Sequence, residues 1–332
     1  MGELGEFPLI ERLSARLGSS RPDVVVGIGD DVAVVEPGPE RLLLATCDVQ
    51  VAGVHFLLER VDPRKLGRKA AAINISDIAA SGGLPTHFLS SLVLPADTEV
   101  AWVERLYDGL AEEAGNWGAD VVGGNISGGG QLVIDLTLLG EVPPGELLRR
   151  DGARPGERLL VTGTLGAAAA GLHLSLHPGL DAAASAAQPA LEAFETPLPR
   201  VREARAAARA GGVGAMIDVS DGLAADLGHL CDRSGVGARI EAALLPVSSA
   251  AREVAQAAGQ EALAWALGGG EDYELLFTAG PERARALAEA IREAAGTPVT
   301  EIGEIVPAEA GRSIVGEDGK VVPLSPDGWR HF

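Results

Sequence analysis

Short apolar runs alternate along this chain with longer segments of helical periodicity, and that alternation admits few architectures. Residues 24–26, 42–45, 88–94 and 132–139 are apolar, bounded by glycine or proline, and predict strands. Between them, the segment 63–82 repeats Leu66, Ala70, Ile73 and Ile78 at helical intervals, and 100–114 repeats Trp102, Leu106, Leu110 and Ala114. An α/β unit follows. The stretch 142–157 holds Pro143, Pro144, Gly145, Pro155 and Gly156, which break both periods, so a boundary is expected there. Beyond it, strands are expected at 159–163, 215–218 and 273–278, with helices at 165–176, 200–210, 223–234 and 282–295. The alanine- and proline-rich segment 177–199 reads as a loop or as a helix with a mobile edge. Single cores seldom grow past about 250–300 residues. A chain of 332 residues is therefore expected to form two domains, 1–145 and 146–332.

Charge removes several classes of function. Against 27 basic side chains stand 47 acidic ones, a net charge of −20. No basic footprint exists for a nucleic acid or an anionic membrane face. A small anionic substrate could still be held through metal ions. Cys47 and Cys231 are too few for a disulfide framework and lack zinc-ligand spacing, so a reduced, cytoplasmic protein is expected. The first eleven residues carry glutamates and no cation, which argues against a secretory signal, and no uncharged apolar run reaches about 18 residues. Lys65, Lys69 and Lys320 are the only lysines, and none precedes Ser or Thr, which excludes a Walker-type phosphate loop. G-x-S-x-G and H-E-x-x-H are both absent.

What the sequence does carry is a scatter of aspartates. Asp30 and Asp31 end Gly27-Ile28-Gly29-Asp30-Asp31, Asp48 follows the run at 42–45, and Asp77 ends Asn74-Ile75-Ser76-Asp77. Asp218 and Asp221 bracket Asp218-Val219-Ser220-Asp221-Gly222. Singly, each reads as a cap or turn residue. Together they read differently, because two unit charges about 4 Å apart repel by roughly 4 kcal/mol at an effective dielectric near 20. Converging carboxylates need a cation, and Mg2+ is the natural one for hard oxygen donors. Glycines at 123–124, 128–130 and 268–270 suit close approach to phosphates, or are simply tight turns. His55 reads as a half-buried histidine or a ligand contact, Glu271 as a loop cap or a ligand contact, and Trp329 as a tail anchor or a stacking surface.

Read together, these strings resemble the thiamine-monophosphate kinase family, within the ATP-binding superfamily of aminoimidazole ribonucleotide synthetase and selenophosphate synthetase. The resemblance rests on GELGEF at 2–7, GIGDD at 27–31, VAGVHF at 51–56 and NISDIAASGGLP at 74–85. It continues with GARPGERLLVTGTLG at 152–166, IDVSDGLAADLGHL at 217–230, GGEDYELLF at 269–277 and GWRHF at 328–332. It implies a two-domain α/β (α+β) fold of the aminoimidazole ribonucleotide synthetase type. Its N-terminal sheet would form a homodimer interface, with the active-site cleft between the domains. It implies transfer of a phosphoryl group from ATP, as co-substrate, to thiamine monophosphate, with several Mg2+ ions as cofactor.

By the same resemblance, Asp31, Asp48, Asp77, Asp218 and Asp221 fall on magnesium positions, with Thr46, Cys47 and Asn125 beside them. Gly124, Asn125, Arg150 and Ser220 fall on nucleotide positions, and His55, Glu271 and Trp329 on thiamine positions. Two residues depart from the family pattern: Asn125 replaces an aspartate and Cys47 a threonine. Both serve the same magnesium as Asp48 in the family, so that metal site is expected to be weaker than its neighbours. Two alternatives stand beside this reading: a relative with another acceptor, and a nucleotide-binding regulator that has lost catalysis at the altered site.

Overall fold

The computed structural model describes residues 24–26, 33–38, 40–325 and 328. Asp31 and Trp329, named above as candidate ligand contacts, lie outside the described residues, as does Asp30. The N-terminal half is built on strands β1 (Val24–Val26), β2 (Ala33–Gly38), β3 (Arg41–Val51), β4 (Leu84–Leu94), β5 (Asp120–Gly128) and β6 (Val133–Val142). They form one sheet in the order β1-β2-β3-β6-β4-β5. Helix α1 (Pro63–Ala80) crosses from β3 to β4, and helix α2 (Val100–Asn116) from β4 to β5, which pair in parallel. Asp62 starts α1, accepting the amides of Arg64 at 2.9 Å and Lys65 at 3.2 Å with Pro63 next in line. On β3 the pleat sends Leu42, Leu44 and Thr46 into the core and leaves Cys47 and Val49 exposed on the opposite face.

The C-terminal half contains β7 (Arg158–Thr162), β8 (Val213–Asp218), β9 (Val236–Glu241), β10 (Leu275–Ala279), β11 (Val299–Pro307), β12 (Arg312–Val315) and β13 (Val321–Pro323). Their order in the second sheet is β13-β12-β9-β11-β7-β10-β8. Around it lie α3 (Ala167–Leu176), α4 (Ala184–Glu195), α5 (Val201–Ala210), α6 (Leu223–Ser234), α7 (Ser249–Ala258), α8 (Ala262–Gly268) and α9 (Pro281–Ala295). One hydrophobic cluster runs through both halves, joining Leu44, Ile75, Ile78 and Phe88 to Leu160, Phe277 and Leu287. The halves are therefore packed on each other through apolar surface. Among the described residues, no helix is long and apolar enough to cross a membrane.

Two local expectations need correction. The strand expected at 42–45 runs on to Val51, so Asp48 sits inside β3 rather than after it. Gly124 and Asn125 form no turn; they lie in β5, paired in register with Ser90 and Ser91 of β4. Of the two readings offered for the segment 177–199, loop or helix, the structure takes the helix, α4, with Pro189 inside it. Small residues seat this helix: a Cβ at Gly171 of α3 would stand 2.1 Å from the carbonyl of Ala190, so the two helices pack backbone to backbone.

Candidate active site

Four pieces of chain converge where the two halves meet: the middle of β3, the second half of α1, the loop leaving β8, and the loop 269–274. Strand alternation puts Thr46 and Asp48 on the face of β3 that looks toward α1. There Thr46 Oγ1 donates to Asp77 Oδ2 at 2.5 Å. The preceding residue of α1 reaches the other half, with Ser76 Oγ donating to Asp218 Oδ2 at 2.6 Å. Asp218 is only 1% exposed, and among the described residues its Oδ1 has no hydrogen-bond partner. A buried carboxylate oxygen of this kind is costly unless something cationic meets it.

Electrostatics mark the same cluster. Burial, then the charges of Asp218 and Asp221, push the Asp48 carboxyl up to about 6 against an opposing hydrogen bond from Asp77. Burial and the charges of Asp48 and Asp218 hold Asp77 well above the usual carboxylate range. Burial raises Asp218 too, although the Ser76 hydroxyl and the Arg150 charge oppose it. Carboxylates raised by desolvation and by one another are the signature of a site built for positive charge. All the donors here are hard oxygens, which suits Mg2+.

Beyond β8 the loop is held by Asp226, whose Oδ2 accepts the amides of Asp221 at 3.1 Å and Gly222 at 3.0 Å. Ligand atoms of Asp221, Asp226 and His229 lie within 4.8 Å of one another. Burial, then the charge of Arg150, brings His229 down to about 4, leaving a neutral imidazole at physiological pH.

The loop 269–274 is laid on this one by three main-chain bonds. Glu271 N donates to Ser220 O at 2.7 Å, Tyr273 N to Val219 O at 2.8 Å, and Val219 N to Glu274 O at 2.7 Å. Glu271 and Tyr273 have φ of 59° and 49°, left-handed values that cost a non-glycine residue of order 1–3 kcal/mol and persist only where the surroundings enforce them. Burial pushes the Tyr273 phenol up, and the charges of Glu271, Asp48, Asp218 and Asp77 push it the same way. Lys69 Nζ meets Glu271 Oε1 at 2.8 Å. Asp272 and Glu274 serve the rest of the C-terminal half: Asp272 accepts the amide of Gly166 at 2.8 Å, and Arg200 grips Glu274 at 2.7 and 2.6 Å. A cavity of about 630 Å3 opens on that side, lined in part by Arg68, Thr164, Arg200, Asp272 and Glu274.

Not all the expected residues assemble. Cys47 precedes Asp48 on a strand and so points to the opposite face, where its thiol donates to Asp135 Oδ1 at 3.0 Å. Burial and that carboxylate push the thiol up to about 11, which keeps it protonated. Asn125 shares a row with Ser91, Asp135 and Val49 on this same opposite face, three strands from β3. Within one chain, then, neither the Cys47 thiol nor Asn125 joins Asp48, Asp77 and Asp218. The reason is the pleat, which reverses direction at every residue. Gly123, Gly124 and Asn125 instead line a separate cavity of about 430 Å3 with Tyr107. His55 lies at the end of β3, where its Nδ1 accepts the amide of Val51 at 3.0 Å. Ser76, Asp226, Tyr273 and Lys69 were missed by sequence reasoning. Lys69 had a signal, since it stands seven and eight residues before Ser76 and Asp77 on one stripe of α1.

Residues 29–142 match the family model for the N-terminal domain of AIR synthase related proteins, and residues 154–316 match its C-terminal domain. Thiamine-monophosphate kinase of Escherichia coli (strain K12) is 40% identical over 99% of this chain and 98% of its own length. That of Aquifex aeolicus (strain VF5) is 40% identical over 99% of both. The chain belongs to the thiamine-monophosphate kinase family. A solved structure of AaThiL complexed with AMPPCP and TMP aligns with a TM-score of 0.87 at 38% identity, covering 100% of this chain and 98% of that one. The two-domain α/β fold of this kinase family thus holds across the full length, as the sequence motifs implied.

Proposed function

We propose that the chain transfers the γ-phosphoryl group of ATP directly to the phosphate of thiamine monophosphate by Mg2+-assisted in-line displacement, giving thiamine diphosphate and ADP. Family membership supports the reaction, and the AaThiL complex with AMPPCP and TMP supports the pair of substrates. The observation that carries the reading is the convergence of Asp48, Asp77 and Asp218 from both halves, with one buried carboxylate oxygen that has no hydrogen-bond partner among the described residues.

The residues present fit Mg2+. Asp48, Asp77, Asp218 and Asp221 would hold it, with Asp31 completing the set in the same reading. When bound, Mg2+ offsets the charge of the phosphate oxygens during transfer. Thr46 and Ser76 hold the carboxylates of Asp77 and Asp218 in fixed orientation, so little reorganisation is needed when substrate arrives. The acceptor is a phosphate monoester with a second pKa near about 6, already largely a dianion at neutral pH. A general base is superfluous. In this reading Gly124, Asn125, Arg150 and Ser220 contact the nucleotide, and His55, Glu271 and Trp329 contact thiamine. The domain boundary falls at 145/146, between the two matched segments. The protein is cytoplasmic, in keeping with free thiols at Cys47 and Cys231. It is a homodimer through the open face of the N-terminal sheet, where Val49 is 44% and Leu89 43% exposed.

The test is incubation with ATP, Mg2+ and thiamine monophosphate, followed by chromatography. Thiamine diphosphate is expected to appear in step with ADP, and ADP release that is equally fast with unrelated phosphates would remove the assignment. Asp218→Asn is expected to lower kcat by about 100-fold or more, on the scale of a lost electrostatic contact to the transition state.

A further inference from the structure

Lys69 is only 5% exposed, and a buried ammonium is costly unless a counter-charge meets it. Its Nζ lies 2.8 Å from Glu271 Oε1 and 3.9 Å from the centroid of the Phe194 ring on α4. The aromatic face adds attraction for the cation and walls it from water. Lys69 therefore joins three parts of the fold at one point: α1, α4 and the loop 269–274.

Its place on α1 gives the contact meaning. Lys69, Ser76 and Asp77 occupy one stripe of the helix, about 12 Å from end to end at 1.5 Å per residue. At the far end of the stripe Ser76 fixes Asp218, and Asp77 takes the hydroxyl of Thr46. At the near end Lys69 fixes Glu271. A single rigid rod thus spaces the loop 269–274 from the carboxylate cluster. That loop needs holding, because Glu271 and Tyr273 both sit at left-handed φ. The Glu271 side chain is 30% exposed, so it opens toward solvent while Oε1 is engaged from below.

We propose that Lys69 is a positioning residue: by engaging Glu271 it sets the loop 269–274 against the Asp48–Asp77–Asp218 cluster and so governs capture of the thiamine moiety rather than the phosphoryl-transfer step. The inference rests on the kinase reading, in which Glu271 contacts thiamine.

Steady-state kinetics of the full chain with saturating Mg2+ and ATP separate this from a purely structural ion pair. Lys69→Met is expected to raise KM for thiamine monophosphate by about tenfold or more, with kcat and the KM for ATP within about twofold of wild type. Lys69→Arg, which keeps the cation, is expected to restore most of the affinity. Lys69→Met in a Glu271→Gln background is expected to change KM by less than about twofold further, since the pair is already broken. A fall in kcat with KM unchanged, or two fully additive losses, would overturn the role. Amide exchange of the 268–277 peptide supplies a readout that needs no turnover. It is expected to quicken in Lys69→Met, and likewise in Glu271→Gln should the first variant not fold, while the peptide covering β3 stays unchanged. Equal exchange in wild type and variant would also overturn the proposal. Wild-type enzyme that makes no thiamine diphosphate would sink the kinase reading instead, leaving the exchange result to judge Lys69.

Discussion

Asp272 accepts the Gly166 amide at 2.8 Å, a bond that favours its ionised form, yet burial outweighs it and pushes the carboxyl from 3.8 up to about 8. Between about pH 4 and pH 8 the unfolded chain gives up a proton that the folded chain keeps. Stability contributed by the neutral acid is thus complete below pH 4, falls across that window, and changes no further above it. Asp272→Asn, which carries no charge at any pH, is expected to gain on wild type in Tm as pH rises from about 5 to 8, with the gap then levelling off. Parallel Tm curves for the two proteins would show that Asp272 ionises freely. Asp48, Asp77 and Asp218 were legible as candidates, since acids in short polar strings stand out, and the structure brings the three together. Cys47 and Asn125 were not legible as outsiders, because sequence adjacency hides which face of a pleat a residue takes. Tyr273 and Lys69 were hidden for other reasons. A left-handed tyrosine has no composition signal, and the partner of Lys69 lies 202 positions away.

Helix α1 carries Lys69, Ser76 and Asp77, so its seat on α2 matters to the site as well as to the core. That seat is made of glycine. A Cβ on Gly67 would fall 1.9 Å from the carbonyl of Leu106, and one on Gly109 would fall 1.8 Å from the carbonyl of Arg64. Both obstacles are backbone and cannot rotate aside. Gly67→Ala adds up to about 1 kcal/mol of helix propensity, whereas overpacking costs about 1–3 kcal/mol and more where main chain must shift. The variant is expected to be less stable by about 2 kcal/mol in urea denaturation, and a stabilised variant would mean the helices part without cost. Element existence was readable wherever apolar spacing was strong: α1, α2, α6 and α9 lie where their periodicity puts them. It was less decided where small residues carry the packing. Helix α4 buries Ala186 and Ala190 and contains Pro189, so its sequence left loop and helix both open. Strand β5 reads DVVGGNISG, whose paired glycines look like a turn until β4 is beside them.

The whole molecule has one face that its own described elements do not explain. Helices α1 and α2 cover one side of the N-terminal sheet, and on the other side Val49 and Leu89 stand open beside Cys47, Asp135 and Asn125. In the proposed homodimer this face would be the interface, and a two-fold interface presents every such residue twice. A net charge of −20 works against association at long range, so a dimer of this chain would rest on burial rather than on steering. In sedimentation equilibrium the chain is expected at roughly 68 kDa, twice its 34.0 kDa. Leu89→Asp would place two new charges in the face that the proposed dimer buries, beside the carboxylates already there, and is expected to shift the protein to the monomer mass. Asp48, Asp77 and Asp218 look to the other side of the sheet, so Mg2+-dependent stabilisation should survive in that monomer. Gly124 and Asn125 lie on the edge strand of the same sheet, so the monomer is expected to bind ATP more weakly. A wild type that sediments at the single-chain mass would remove the dimer and leave the carboxylate cluster standing, because nothing in its geometry depends on a second copy.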